Sequence, residues 1–156
     1  LLDELSSIIP IMQSSRFELR SAVYLMPMRG QEILLARRKN TGWMDGMYSL
    51  ISGHLDGNET VNEAMIREAF EEANIKIDNH QLIPATVLHR KSTDSEYVDF
   101  FYVTREWEGE PSIGEPDKCD DLSWFSLKNL PDNLLPHIKE ALNNYNSHTA
   151  FSTSGW

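Results

Sequence analysis

Short apolar runs, most of them bounded by turn residues, recur along the chain and predict strands. Residues 19–28 and 32–37 flank the turn Arg29-Gly30-Gln31 and predict an antiparallel hairpin. Four more runs predict strands, at residues 47–51, 82–89, 97–104 and 122–125. Apolar residues at helical spacing predict helices over residues 61–73 and 134–144. Strands and helices mixed in this order indicate a layered α/β domain.

The first predicted helix carries two different faces. Thr60-Val61-Asn62-Glu63 has the form of a capping box and fixes its start. At about 100° per residue, three carboxylates share one arc of about 100°. They belong to Glu68, Glu71 and Glu72. A separate apolar stripe, predicted to face the core, contains Met65, Ile66, Ala69, Phe70 and Ala73.

The length of 156 residues is that of one domain. We predict three parts: residues 1–15 as a short helix or arm, residues 16–145 as the folded domain, and residues 146–156 as a tail. No fixed repeat or low-complexity linker divides the chain.

The charge balance narrows the possible partners. With 14 basic and 24 acidic residues the chain carries a net charge of −10, which argues against binding duplex nucleic acid through a basic face. Half of that charge lies in residues 53–75, where six acids face one base, Arg67. Clustered like charges oppose folding unless a cation neutralises them. Hard carboxylate oxygens suit Mg²⁺ or Mn²⁺, and such ions would let an acidic protein bind an anionic substrate.

The cellular location is predicted from cysteine usage and hydropathy. The single cysteine, Cys119, cannot form a disulfide within the chain and is typical of a reducing compartment. No apolar run approaches the length of a membrane span, and the first residues are acidic where a signal peptide would be basic. We therefore expect a cytoplasmic protein without a membrane anchor.

The segment from Gly53 to Ile75 resembles the Nudix box, G-x5-E-x7-R-E-U-x-E-E-x-G-U, in which U is a bulky aliphatic residue. Six of its signature positions are present in register: Gly53, Glu59, Arg67, Glu68, Glu71 and Glu72. Asn74 stands at the second Gly position, where a left-handed residue is needed and Asn is the usual substitute. Ala69 is smaller than the usual aliphatic residue, and Ile51-Ser52 replaces a common Pro-Gly before the box.

The resemblance implies a fold and an activity. The fold would be a Nudix-type α/β/α sandwich, with a mixed sheet between helices, spanning residues 16–145. The activity would be Mg²⁺- or Mn²⁺-dependent hydrolysis of a pyrophosphate bond in a nucleoside triphosphate, or in another nucleoside diphosphate linked to a group X. The partner is then a small nucleotide or diphosphate, and a homodimer is compatible with the family.

Residue roles follow from the same resemblance. Glu68, Glu71, Glu72 and the backbone carbonyl of Ser52 would bind metal. Glu68 would also activate the attacking water, while Arg67 would orient the carboxylates and Glu59 would support the junction of loop and helix. A further acid often completes the site in relatives. The candidates are Asp99, Glu115, Asp117, Asp120 and Asp121.

Several basic or polar residues near the box are candidates for substrate binding. They are Arg37, Arg38, Gly53 and His54. The one basic cluster of three, His89-Arg90-Lys91, predicts a solvated loop more readily than a phosphate contact.

Two alternative functions share this motif. One is a catalytically silent Nudix domain that senses a nucleotide or binds a protein; the other is an enzyme resembling isopentenyl-diphosphate isomerases. The intact set of acids favours the hydrolase, because a domain that only binds has no need of a carboxylate to activate water.

Overall fold

The computed structural model describes residues 16–156, and the segment 1–15 predicted as an arm lies outside them. The described part of the chain forms eight strands, two α-helices and a short 3-10 helix. In chain order they are β1 (Arg20–Arg29), β2 (Glu32–Arg38), β3 (Tyr48–Ser49), β4 (Ile51–His54), α1 (Val61–Ala73), the 3-10 helix (Asn79–Gln81), β5 (Ile83–Lys91), β6 (Glu96–Thr104), β7 (Cys119–Ser126), α2 (Pro136–Asn146) and β8 (Phe151–Ser154).

Strand β1 is the centre of one mixed sheet. It pairs in parallel with β6 from Arg20 to Pro27 and antiparallel with β4 from Ala22 to Leu25. Its end turns into the hairpin with β2, whose other neighbours are β3 and β7. Beyond β6 the sheet continues through β5 to β8 at the edge. A central strand must be apolar on both faces, which explains the uninterrupted buried run from Ala22 to Met28.

Each face of the sheet is covered by one helix. On the α2 face the core contains Tyr24, Met26, Leu88, Phe101 and Ile138 among others. On the α1 face it contains Val23, Leu25, Met65, Ala69 and Ile75 among others. Alternate residues of β1 thus enter opposite cores, as the pleat requires. The predicted α/β/α sandwich with a mixed sheet is confirmed.

Helix α1 begins and ends as its sequence predicts. The side chain of Thr60 accepts a hydrogen bond from the backbone N–H of Glu63, and the Glu63 carboxylate accepts one from the backbone N–H of Thr60. At the other end Asn74 adopts φ 55° and ψ 26°, so the left-handed position of the motif is filled without glycine. The predicted apolar stripe is wrong at Phe70, which is 51% exposed.

Three elements differ from the sequence-based prediction. The single strand expected at residues 47–51 is divided between β3 and β4, which pair with different neighbours. Helix α2 starts at Pro136 because proline favours the first helical turn. Strand β8, in the predicted tail, pairs in parallel with β5, a contact that local sequence does not encode.

No helix within residues 16–156 combines the length and the hydropathy needed to cross a bilayer.

Replacing Phe101 should test the α2-side core. Phe101 is 1% exposed and stacks on Tyr24 with ring centroids 4.6 Å apart. Phe101→Ala should lower the free energy of unfolding by about 3–5 kcal/mol, because it removes buried area and leaves a cavity. Urea denaturation measures this change. The control Phe17→Ala, at a side chain that is 70% exposed, should change it by less than about 0.5 kcal/mol.

Candidate active site

A cavity of about 860 Å³ opens beside β1, β2, β4 and helix α1. We call it the main cavity. Its charged lining divides into two groups. The acidic group is formed by Asp56, Glu68, Glu71, Glu72 and Glu115, together with Arg67 and Lys118. The cationic group contains Arg20, Arg38 and Arg90.

Glu68 is placed by its contact with a glycine. The Glu68 side chain is 12% exposed, and its carboxylate packs directly against Gly53 on β4. A β-carbon at residue 53 would occupy the space of that carboxylate. The first glycine of the motif is therefore required for close approach of α1 to β4, not for an unusual backbone angle.

Glu72 is held one turn further along the helix. Its carboxylate oxygen Oε2 accepts a hydrogen bond of 2.7 Å from the backbone N–H of Ser52. Burial raises the pKa of Glu72 to about 8, the Ser52 N–H opposes that rise, and repulsion from Glu68 and Glu115 adds to it. Burial likewise raises the pKa of Glu68, against the effect of Arg67. Glu68 and Glu72 thus lie close together in a poorly solvated site, where ionising both carboxyl groups is unfavourable.

Arg67 connects the acids to the preceding loop. Its Nε and Nη2 donate to the two oxygens of Glu59 at 3.1 and 2.8 Å, and Nη2 also donates to the carbonyl of His54. Its Nη1 donates to Glu68 Oε1 at 2.7 Å and to Glu71 Oε2 at 3.1 Å. Glu59 in turn accepts from the backbone N–H of Asp56 at 2.8 Å. Arg67 and Glu59 thus link the loop before α1 to the acidic side chains of the helix, and their supporting roles stay a prediction.

Glu115 reaches the acidic group through a distant loop. The backbone N–H groups of Ser112 and Gly114 donate to the last carbonyls of α1, at Ala73 and Glu72. Gly114 packs so closely on the helix backbone that a β-carbon there would overlap it. The next residue, Glu115, lines the cavity and repels both Glu68 and Glu72, while its carboxylate pairs with Lys118 at 2.9 Å.

The other candidate acids have different surroundings. Among the described residues, the cavity lining includes Glu115 but not Asp99, Asp117, Asp120 or Asp121. Asp99 is fully buried against Arg90, and Asp120 pairs with Arg37 at 2.7 Å. Asp121 accepts hydrogen bonds from Tyr48 and Ser123. Gly114 before Glu115 was the available sequence signal, since a glycine permits close approach to a helix end.

The four predicted substrate residues all line the main cavity: Arg37, Arg38, Gly53 and His54. Arg90 lines the main cavity as well, so the prediction that His89-Arg90-Lys91 forms a solvated loop is wrong. Arg90 lies within β5 and is 8% exposed. Its guanidinium stacks over Tyr97, 4.3 Å from the ring centroid. Its partner Asp99 lies on the neighbouring strand, and sequence alone gives no sign of that pairing.

The acidic group is suited to a divalent cation. Within residues 16–156, no three acidic, histidine or cysteine side chains already converge as metal ligands, and Arg67 occupies oxygens of Glu68 and Glu71. The donors nevertheless fit: they are hard carboxylate oxygens beside a backbone carbonyl at Ser52, and the two most buried carboxyl groups have raised pKa values. A bound cation would stabilise the ionised carboxylates against the burial and mutual repulsion that raise these pKa values.

Glu72 should make the stability of the metal-free protein depend on pH. In the unfolded chain its pKa is near 4.5, and folding raises it to about 8. Ionised Glu72 therefore destabilises the fold, and stability should fall as pH rises from about 4.5 through 8. Glu72→Gln should remove much of this loss, because Gln stays neutral and can still accept from Ser52.

We expect the melting temperatures of wild type and Glu72→Gln, measured in EDTA, to be similar at pH 5. At pH 8.5 the variant should melt several degrees higher. A gap that does not widen with pH would contradict the assignment.

Comparisons with known proteins agree with this geometry. The family model described as NUDIX domain matches residues 18–145. A curated relative, the NAD-capped RNA hydrolase NudC of Pseudomonas entomophila, is 31% identical over 103 residues; the match covers 66% of this chain and 35% of that protein. The chain thus spans about a third of the length of the curated relatives it matches.

Solved structures have the same fold. The MutT NUDIX hydrolase of Burkholderia pseudomallei has a TM-score of 0.75 and 29% identity, covering 81% of this chain and 97% of that one. A bifunctional NMN adenylyltransferase/ADP ribose pyrophosphatase of Francisella tularensis has a TM-score of 0.67 and 23% identity, covering 86% and 43%. With the family model matching most of the chain and five of the six signature residues lining one cavity, this chain belongs to the NUDIX family.

Proposed function

We propose that this NUDIX domain is a pyrophosphohydrolase that depends on Mg²⁺ or Mn²⁺. Its substrate would be a nucleoside triphosphate or another nucleoside diphosphate linked to a group X. One observation carries the proposal: the carboxyl groups of Glu68 and Glu72 pack against β4 on the wall of an open cavity. Two further acids, Glu71 and Glu115, line the same wall, with Arg67 and Lys118 as their cationic neighbours. Such a site is costly for a domain without a cationic ligand.

The ligands would be Glu68, Glu71, Glu72 and the backbone carbonyl of Ser52, with Glu115 as the additional acid. Glu115 is the choice among the five candidates because it is the one of them that lines the cavity beside Glu68 and Glu72. A bound divalent cation would neutralise the diphosphate and lower the pKa of a bound water.

The chain's own residues would position and move protons. Glu68 would accept the proton of the attacking water as a general base, since its carboxylate lies on the cavity wall. Arg67 would fix the Glu68 carboxylate, and Glu59 would fix Arg67. Gly53 keeps the space that the Glu68 carboxylate needs. Phosphoryl transfer depends chiefly on such positioning and on electrostatic stabilisation.

Substrate contacts would come from the remaining lining. Arg38 and His54 lie on the cavity wall, and Arg37 lies there paired to Asp120. The relatives are named as hydrolases of NAD-capped RNA and of ADP ribose. Both names describe a nucleoside diphosphate linked to a further group, which is the substrate class proposed here. A cytoplasmic location belongs to the same proposal and is supported by the unpaired Cys119.

Carboxamide substitutions should separate catalysis from folding. Glu68→Gln and Glu72→Gln should each reduce kcat by about 10²–10⁴-fold, because they remove the base or a metal ligand while keeping side-chain size. The assay measures release of phosphate, pyrophosphate or mononucleotide from a panel of nucleotides in Mg²⁺ and, separately, in EDTA.

Glu63→Gln is the matched control. Glu63 lies on the same helix, away from the cavity lining, and glutamine can replace it in a capping box. This variant should keep its rate within about twofold of wild type. Near-normal rates in Glu68→Gln, or full activity in EDTA, would contradict the proposal.

A further inference from the structure

The cationic group of the main cavity contains guanidinium groups without a carboxylate at ion-pair distance among the described residues. Arg20, Arg38 and Arg90 line this part, together with one carboxylate, Asp94. Asp99, fully buried behind Arg90, forms an ion pair with it, and Asp45 attracts Arg38 through space. Within residues 16–156, Arg38 itself pairs with no carboxylate, so it can bind an anionic ligand directly.

Arg90 is fixed before any ligand arrives. Its Nε donates to Asp99 Oδ2 at 2.5 Å, Nη2 donates to Oδ1 at 3.4 Å, and Tyr97 supports the guanidinium plane from one side. Only 10% of the side chain is exposed, although Arg90 lines the cavity. A guanidinium held on one edge by a carboxylate presents its remaining N–H groups without further loss of rotamer entropy.

Arg38 is held by neutral groups. Its Nε donates to the carbonyl of Trp43 and Nη2 to Thr41 Oγ1, both at 2.9 Å, and its guanidinium lies 5.0 Å from the centroid of a Trp43 ring. Among residues 16–156 it forms no ion pair with a carboxylate. Its positive charge is therefore available to a ligand.

Arg38 and Arg90 also affect the pKa of a neighbouring residue, His137. Burial lowers the pKa of His137 to about 3, and Arg90 and Arg38 lower it further. His137 packs edge-on against Tyr24, which lines the cavity between the two arginines' strands. Because His137 is neutral, it adds no positive charge to the cationic group.

The sheet sets the distance between the two charged groups. Asp99 on β6 pairs with Ala22 on β1, which pairs with His54 on β4, next to Gly53 and the carboxylate of Glu68. Arg90 lies one strand further, on β5, so three strand spacings, about 14 Å between backbones, separate it from β4. The Arg90 side chain reaches into the shared cavity, and a ribose with its substituents would fill the remaining span to a diphosphate at the acidic group.

We propose that Arg38 and Arg90 bind a phosphate monoester carried on the sugar of the substrate. The preferred substrates are then nucleotides that have this phosphate in addition to the diphosphate that is cleaved. The inference rests on the proposed function and specifies its substrate class. Guanidinium donors also suit the keto oxygens of a base, but a neutral base would leave Arg38 without an anionic partner.

Two substrate pairs test the inference, because the members of each differ by one phosphate monoester. They are NADP⁺ against NAD⁺, and coenzyme A against 3′-dephospho-coenzyme A. In at least one pair the wild type should show kcat/KM about 10–100-fold higher for the phosphorylated member, the effect of one or two charge-assisted hydrogen bonds. Arg38→Met and Arg90→Met should each reduce that ratio by about tenfold or more.

The ratio distinguishes recognition from a structural effect, since a distorted cavity slows both members of a pair alike. Arg29→Met is the control: Arg29 stacks over Trp124, outside the main cavity, and its loss should leave the ratio unchanged. Arg90→Met leaves Asp99 buried without a partner and can unfold the protein. Arg90→Lys, which keeps the charge, should fold and retain part of the discrimination.

Calorimetric binding of the same four compounds separates this inference from the proposed function. Tighter binding of a phosphorylated member, lost in Arg38→Met, with no hydrolysis of these four compounds or of any nucleotide in the panel, would support the phosphate site and overturn the hydrolase. Equal Kd and equal kcat/KM within both pairs would overturn the phosphate site, whatever the hydrolytic rate. Discrimination that persists in both Arg38→Met and Arg90→Met would overturn it as well.

Discussion

The site depends on how closely helix α1 approaches strand β4. The Glu68 carboxylate lies against Gly53, and the Glu72 carboxylate accepts a hydrogen bond from the Ser52 backbone. These contacts fix the rotation and height of the helix relative to the sheet. They also bury carboxyl groups that carry charge, which raises their pKa values. The same packing that positions α1 therefore also makes ionisation of these carboxyl groups unfavourable unless a positive charge lies beside them.

Several neighbouring residues hold these acidic side chains in place. Arg67 bonds to Glu59, Glu68 and Glu71, so one guanidinium holds the loop and the helix together. At the far end of α1, Gly114 packs against the helix backbone and brings Glu115 to the same acids. Backbone packing, stabilised by the apolar residues beneath α1, thus holds the carboxylates close together despite their mutual repulsion. Such arrangements are common at functional sites.

The main cavity has opposite charge character in its two parts. The acidic part depends on the loop before α1 and on the helix itself, whereas Arg38 and Arg90 come from β2 and β5. Because β1 and β6 separate β5 from β4, the sheet sets the spacing between the parts. A ligand that spans them would place an anionic group in each, one through a cation and one directly on guanidinium groups.

Local sequence determined the elements whose signals are contiguous. The capping box, the spacing of three glutamates and the left-handed Asn74 specify α1 and its acidic face. They depend only on positions within a few residues, so no tertiary contact was needed to predict them. Tertiary structure alone decided that Glu115 rather than Asp99 joins the acids, that Arg90 is buried against Asp99, and that β8 completes the sheet. These outcomes depend on which strands pair and at which register, which no local pattern encodes.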